Sequence, residues 1–170
     1  LLGNLALAKG YDVKLSEVHG MAQRGGSVVT HVKISEGTVS SPLIEKGDAD
    51  VIIAFEELEA FRWLPYLKKG GSMYVNTQQI LPIPVIMGEA EYPEDIIKKI
   101  GEKAGSIKAF DALSIAEECG SDKAVNVVLL GAASNDLPFD EDAWIEVIEN
   151  NVKPKFIDLN KAAFAKGCKA

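Results

Sequence analysis

The sequence predicts an α/β fold: a largely parallel sheet with flanking helices in a single domain, with a helical C-terminal part. Three observations carry that expectation. Val51-Ile52-Ile53-Ala54-Phe55 is a short, wholly apolar run ending at Glu56-Glu57, the pattern of a strand covered on both faces that runs into a helix. The strand, helix, strand order through residues 51–76 implies a parallel βαβ unit with a right-handed crossover. Beyond residue 93, helix starts and stops follow one another with room for one short strand.

Taken in order, residues 1–9 read as the end of an amphipathic helix stopped by Gly10. Residues 12–18 alternate polar and apolar side chains, and Val28, Val29, Val32 and Ile34 supply β-branched residues suited to a sheet, so both segments read as buried strands. Residues 56–69 read as a helix with acidic residues in its first turn, Lys68-Lys69 in its last and Gly70-Gly71 as its stop. Leu58, Phe61, Leu64 and Leu67 form its inner stripe, and Pro65 should kink or shorten it. Residues 72–76 are the next strand.

Residues 77–87 hold Pro82 and Pro84 in an apolar stretch and are expected as an edge strand or extended crossover. Pro93 with Glu94-Asp95 opens a helix closed by Gly105, residues 106–110 form a short strand, and residues 111–119 a helix. Residues 126–133 fit a buried helix or a strand, with helix favoured. Asp140 can cap a helix with Trp144, Val147 and Ile148 on one face, and Asn160 a last short helix with Ala163 and Phe164.

Composition bounds the function. With 47% apolar and 25% charged residues in 170, the chain is long enough for a hydrophobic core and is not disordered. A net charge of −7 argues against a broad nucleic-acid-binding surface, which needs clustered Lys and Arg. Cys119 and Cys168 have no Cys-x-x-Cys spacing, so neither a zinc site nor an iron–sulfur cluster is built within the chain, and both read as reduced thiols of a cytoplasmic protein. No apolar run approaches a membrane span of about 20 residues. No Ser or Cys motif accompanies His19 or His31, which argues against a hydrolase and leaves no catalytic residue assigned. A hairpin would bring the two histidines near each other, in a ligand or proton-relay role or in a structural one.

Two places could bind a ligand. The first is the loop around Gln23-Arg24-Gly25-Gly26, where a double glycine permits positive φ or close approach and Arg24 offers a planar charged fork to carboxylate or phosphate. A tight turn with a surface ion pair is the alternative there. The second is the carboxyl edge of the parallel strands, where open α/β sheets place ligands and where Glu56, Asn76 and Thr77 fall. There the alternatives are a helix N-terminal charge for Glu56 and an Asx or Ser/Thr turn for Asn76 and Thr77.

The string Glu17-Val18-His19-Gly20-Met21-Ala22-Gln23-Arg24-Gly25-Gly26-Ser27-Val28 resembles the signature of the gamma-type domain of the 2-oxoacid:ferredoxin oxidoreductases, most of all in the indolepyruvate-oxidising branch. The order of Ser41-Pro42-Leu43-Ile44, Gly47-Asp48-Ala49-Asp50-Val51, Glu56-Glu57-Leu58-Glu59-Ala60 and Asn76-Thr77 extends the resemblance over most of the chain, which is expected as one gamma-type domain over residues 1–170. Because the family opens with a strand and a Gly-rich turn, and this sequence starts Leu-Leu-Gly rather than with Met, both are expected to precede Leu1.

The resemblance implies a coenzyme-A-dependent oxidative decarboxylation of indolepyruvate or related arylpyruvates with electrons passed to ferredoxin. It also implies a large alpha-type partner subunit holding thiamine diphosphate and iron–sulfur clusters. Arg24 would then contact an anion of coenzyme A, Gly25 and Gly26 would allow close approach, and His19 and Gln23 would orient polar groups. A non-catalytic interaction module that assembles with the thiamine-diphosphate subunit, or a subunit acting on another 2-oxoacid, stays open beside it. A free-standing nucleotide-binding domain would need a Gly-rich turn that is not visible.

Overall fold

The computed structural model describes residues 1–20 and 27–170. By its internal contacts the chain divides into two compact units, residues 1–45 with 140–151, and residues 46–139 with 152–170.

In the first unit, α1 (Leu2–Ala8) ends before Gly10, whose φ of +84° lets the chain reverse, and leads into an antiparallel ribbon of β1 (Asp12–His19) and β2 (Val28–Ser35). A bond from Gly20 N–H to the Ser27 carbonyl, 2.9 Å, closes the ribbon beyond its last paired residues. The ribbon departs from the expectation of two buried strands. Leu15, Val18 and Val28 are all more than half exposed, because alternation in a two-stranded ribbon marks which side chains share a face without supplying a layer to cover it. Asp12 accepts the Val39 N–H at 2.8 Å, which holds its carboxyl below the usual carboxylate range. Helix α7 (Glu141–Asn151) belongs to this unit; Asp140 caps it through the Ala143 N–H at 2.8 Å, and Trp144, Val147 and Ile148 are buried as their spacing predicts.

The second unit holds the parallel sheet, β3 (Ala49–Ala54), β4 (Leu67–Asn76) and β5 (Ser106–Phe110), in the order β3-β4-β5. Side chains alternate across it. Ile52, Ala54, Met73, Val75, Ile107 and Ala109 pack with α2 (Glu57–Trp63) and α4 (Ile96–Gly101), while Val51, Ile53, Tyr74 and Phe110 pack with Ala132 and Ala133 of α6 (Val125–Ala133). Covered on both faces, the strands need the apolar runs that the sequence shows. Helix α5 (Ala112–Glu118) is capped by Asp111, whose bonds from the hydroxyl and amide of Ser114 depress its carboxyl. Helix α8 (Ile157–Cys168) packs tightly on α6 through glycine: a Cβ on Gly167 would meet the Val128 carbonyl oxygen at 2.0 Å.

Three expectations are corrected here. The helix expected over 56–69 is shortened at Pro65, as expected of a residue that cannot donate to the helical ladder, but by more than one turn: it stops at Trp63 and a 3-10 turn over Leu64–Tyr66 follows. Lys68, Lys69 and Gly70 therefore lie in a bulge of β4, where Ala49 pairs with Leu67 and Val51 already pairs with Ser72, and Gly70 takes φ +84°. Of the two forms expected for residues 77–87, the edge strand is absent: residues 77–82 cross over without regular structure, and Pro82 and Pro84 open a single helical turn, α3 (Ile83–Ile86), where missing N–H groups cost nothing. Asn160 lies inside α8, which starts three residues earlier, and its side chain donates back to the Phe156 carbonyl at 2.8 Å instead of capping.

Candidate functional site

The carboxyl edge of β3, β4 and β5 is built from Glu56, Asn76 and Thr77 together, as expected. Glu56 is buried at 6% exposure and caps α2 with Oε2, which accepts the Glu59 N–H at 2.8 Å. Its Oε1 accepts two further bonds, from the Ile80 N–H at 3.2 Å and from the Tyr92 hydroxyl at 2.5 Å. Burial, reinforced by this bond, pushes the Tyr92 hydroxyl well above the ordinary tyrosine range.

Asn76, 1% exposed, ties the edge together: its amide donates to the Phe55 carbonyl at 3.1 Å and to Gln78 at 3.4 Å, and its Oδ1 accepts the Ala112 N–H at 3.0 Å. Thr77 N–H donates to the Phe110 carbonyl at 3.1 Å. The edge is thus cross-linked by the side chains of Glu56 and Asn76 and by the Thr77 backbone. Its chemistry does not suit a phosphate: Glu57, beside Glu56, accepts from Gln79 at 2.8 Å, and residues 76–95 contain four carboxylates and no Lys or Arg. Tyr92 is the participant that sequence reasoning missed, since no periodicity or motif links it to a glutamate 36 residues away.

In the first unit, His19 is 64% exposed, with Nε2 2.9 Å from Glu17 Oε1; Thr30 lies across the ribbon, its hydroxyl 3.4 Å from Glu17 Oε2. The hairpin forms as expected, but its register pairs His19 with Val28 and Ser16 with His31. An offset of three residues puts the two histidines on opposite faces. His31 is buried at 9% exposure and its Nδ1 accepts the Ile44 N–H at 2.8 Å, so this residue has the structural role of the two alternatives. Gln23, Arg24, Gly25 and Gly26 lie outside the described residues. By donor type, a guanidinium and glycine N–H groups fit the phosphates of coenzyme A. Among the described residues, no group of three or more His, Cys, Asp or Glu side chains could hold a metal ion, and no helix is long and apolar enough to cross a membrane.

The pyruvate ferredoxin/flavodoxin oxidoreductase family profile matches residues 1–170. The chain belongs to this family. It is 47% identical to the indolepyruvate oxidoreductase subunit IorB of Thermococcus kodakarensis, over all of this chain and 86% of that protein. The crystal structure of pyruvate oxidoreductase subunit PORC from Thermotoga maritima superposes with a TM-score of 0.68 at 23% identity, over 99% of this chain and 84% of that one. The 2-oxoglutarate:ferredoxin oxidoreductase of Magnetococcus marinus, determined with 2-oxoglutarate, coenzyme A and succinyl-CoA bound, shares the fold with a TM-score of 0.68 at 20% identity. There the match covers 98% of this chain but 27% of the other. The α/β fold and the family expected from the Gln-Arg-Gly-Gly string are therefore both observed.

Proposed function

We infer that this chain is a subunit of an indolepyruvate oxidoreductase. The observation that carries the reading is the 47% identity to a subunit of that enzyme across the whole chain. The reaction is the coenzyme-A-dependent oxidative decarboxylation of indolepyruvate or a related arylpyruvate. The substrate carboxylate leaves as carbon dioxide, the acyl group passes to the coenzyme A thiol, and two electrons pass to ferredoxin.

Residues 1–170 act as one gamma-type domain of a cytoplasmic hetero-oligomer, and a larger alpha-type subunit carries the thiamine diphosphate and iron–sulfur clusters. Thiamine diphosphate, when bound there, supplies the electron sink for decarboxylation. On this chain, Arg24 and the N–H groups of Gly25 and Gly26 hold a coenzyme A phosphate, and His19 and Gln23 orient polar groups beside it. The exposure of His19 supports that role. Glu56, Asn76 and Thr77 hold the sheet edge in shape and serve binding only through it.

The test is indolepyruvate oxidation with coenzyme A and a viologen acceptor, using the cofactor-loaded larger subunit alone and with this chain added at full length. Activity that requires both chains is expected. No gain on adding this chain would overturn the catalytic assignment and favour the non-catalytic interaction module. A higher kcat/KM for a branched-chain or other 2-oxoacid would overturn the substrate.

A further inference from the structure

Between the end of β4 and α4 the chain displays Ile80, Leu81, Ile83, Ile86 and Met87 with 60, 47, 71, 68 and 65% of their surface exposed. Five large apolar side chains within eight residues form a patch of the kind that marks an interaction surface. Its backbone is held firmly. Both ends of the loop converge on one atom, Glu56 Oε1, which accepts the Ile80 N–H at 3.2 Å and the Tyr92 hydroxyl at 2.5 Å. Ahead of it, Glu57 N–H donates to the Gln78 carbonyl and Gln79 to the Glu57 carboxylate. Within it, Pro82 and Pro84 restrict φ, and the Pro84 carbonyl accepts the Glu89 N–H at 2.8 Å. The loop therefore presents its apolar residues already ordered, which lowers the entropic cost of docking.

Charge and length point to the occupant. Residues 76–95 carry Glu89, Glu91, Glu94 and Asp95 with no Lys or Arg, and the next cation but one, Lys99, is engaged on the Glu94 carbonyl at 2.8 Å. In a two-fold dimer the same patch faces itself, which would set these carboxylates against their copies, so a second copy is a poor occupant. In the Magnetococcus marinus protein the same fold occupies 27% of a much longer polypeptide, so there it is covalently joined to other parts of an enzyme. We propose that residues 80–92 form a preordered plug that seats in an apolar, Lys- or Arg-rimmed pocket of the larger subunit. This inference rests on the function proposed above.

The experiment measures the dissociation constant of the full-length chain for its larger subunit, by sedimentation or biolayer interferometry, in wild type and three double variants. Ile83→Lys with Ile86→Lys should weaken binding about 100-fold or more, and Ile83→Ala with Ile86→Ala, which introduces no charge, about 10-fold or more. Glu89→Lys with Glu91→Lys should weaken it about 10-fold and flatten its salt dependence. All four side chains are exposed, so unchanged thermal unfolding of each variant chain is expected beside the binding data. Wild-type affinity in the two isoleucine variants overturns the plug. Loss of a homodimer with the larger subunit still bound overturns the choice of occupant. A wild-type chain that does not bind the larger subunit overturns the proposed function and this inference with it.

Discussion

The carboxyl edge of the parallel sheet and the mouth of the β1–β2 hairpin both read as binding positions, and they differ in where their polar atoms point. At the sheet edge, Glu56 and Asn76 are 6% and 1% exposed and, among the described residues, their hydrogen bonds are to neighbours within the same unit. At the hairpin, His19 stands in solvent beside Glu17, at the entrance to the segment that holds Arg24. A residue placed where a fold customarily binds ligands is a candidate only if it keeps hydrogen-bonding capacity to offer. At the sheet edge the bonds of Glu56 and Asn76 serve the fold.

The comparison can be broken or sharpened by substitution, beginning with the largest effect. Asn76→Ala should cost about 3 kcal/mol of stability, because the Ala112 N–H and the Phe55 carbonyl lose a buried partner, read as the shift in urea midpoint at constant slope. An unchanged midpoint would show that the edge does not depend on this side chain. Arg24→Ala should raise the KM for coenzyme A in the assembled enzyme about 10-fold or more, equivalent to about 1.4 kcal/mol, with no change in unfolding midpoint. Glu56→Gln keeps an acceptor on the α2 cap while losing charge assistance toward Tyr92, and should lower stability by about 1 kcal/mol.

Tyr74 and Tyr92 set the alkaline side of the pH dependence. Burial first, then the bonds to Asp136 and Glu56, raises both hydroxyls in the folded chain. The unfolded chain, with tyrosine near its ordinary value of about 10, releases these protons first, so stability present below that value is lost as pH rises above it. Urea midpoints should fall as pH rises above about 10, and Tyr92→Phe should remove part of the slope. A slope identical in the variant would separate Tyr92 from the effect. At the small end, His19→Ala should change stability by less than about 0.5 kcal/mol, as expected of an exposed surface pair.

Much of the fold was legible where local chemistry and tertiary context agree. Strand β5, the helix after it and the cap Asp140 fall where turn and capping residues put them, and the ambiguous run after residue 125 is a helix. Legibility failed where one signal served two structures. Gly70-Gly71 after Lys68-Lys69 looks like a helix stop but is a strand bulge, and the two prolines near residue 83 suit an edge strand as well as the start of a helical turn. For Glu56, both the ligand and the capping readings were visible in the sequence. The cap forms, and the further partners Ile80 and Tyr92, 24 and 36 residues away, were not legible. The family was legible in one string because its residue types are unusual together, whereas the exposure of residues 80–87 depends on what the fold leaves uncovered.

The most direct test of this account is a coenzyme A titration of indolepyruvate oxidation by the assembled enzyme, with wild type, Arg24→Ala and Glu56→Gln in parallel with their unfolding midpoints. The account predicts a KM for coenzyme A raised about 10-fold or more by Arg24→Ala alone and a lowered midpoint in Glu56→Gln alone. A raised KM in Glu56→Gln with wild-type behaviour of Arg24→Ala would contradict it, and would move the coenzyme site to the carboxyl edge of the sheet.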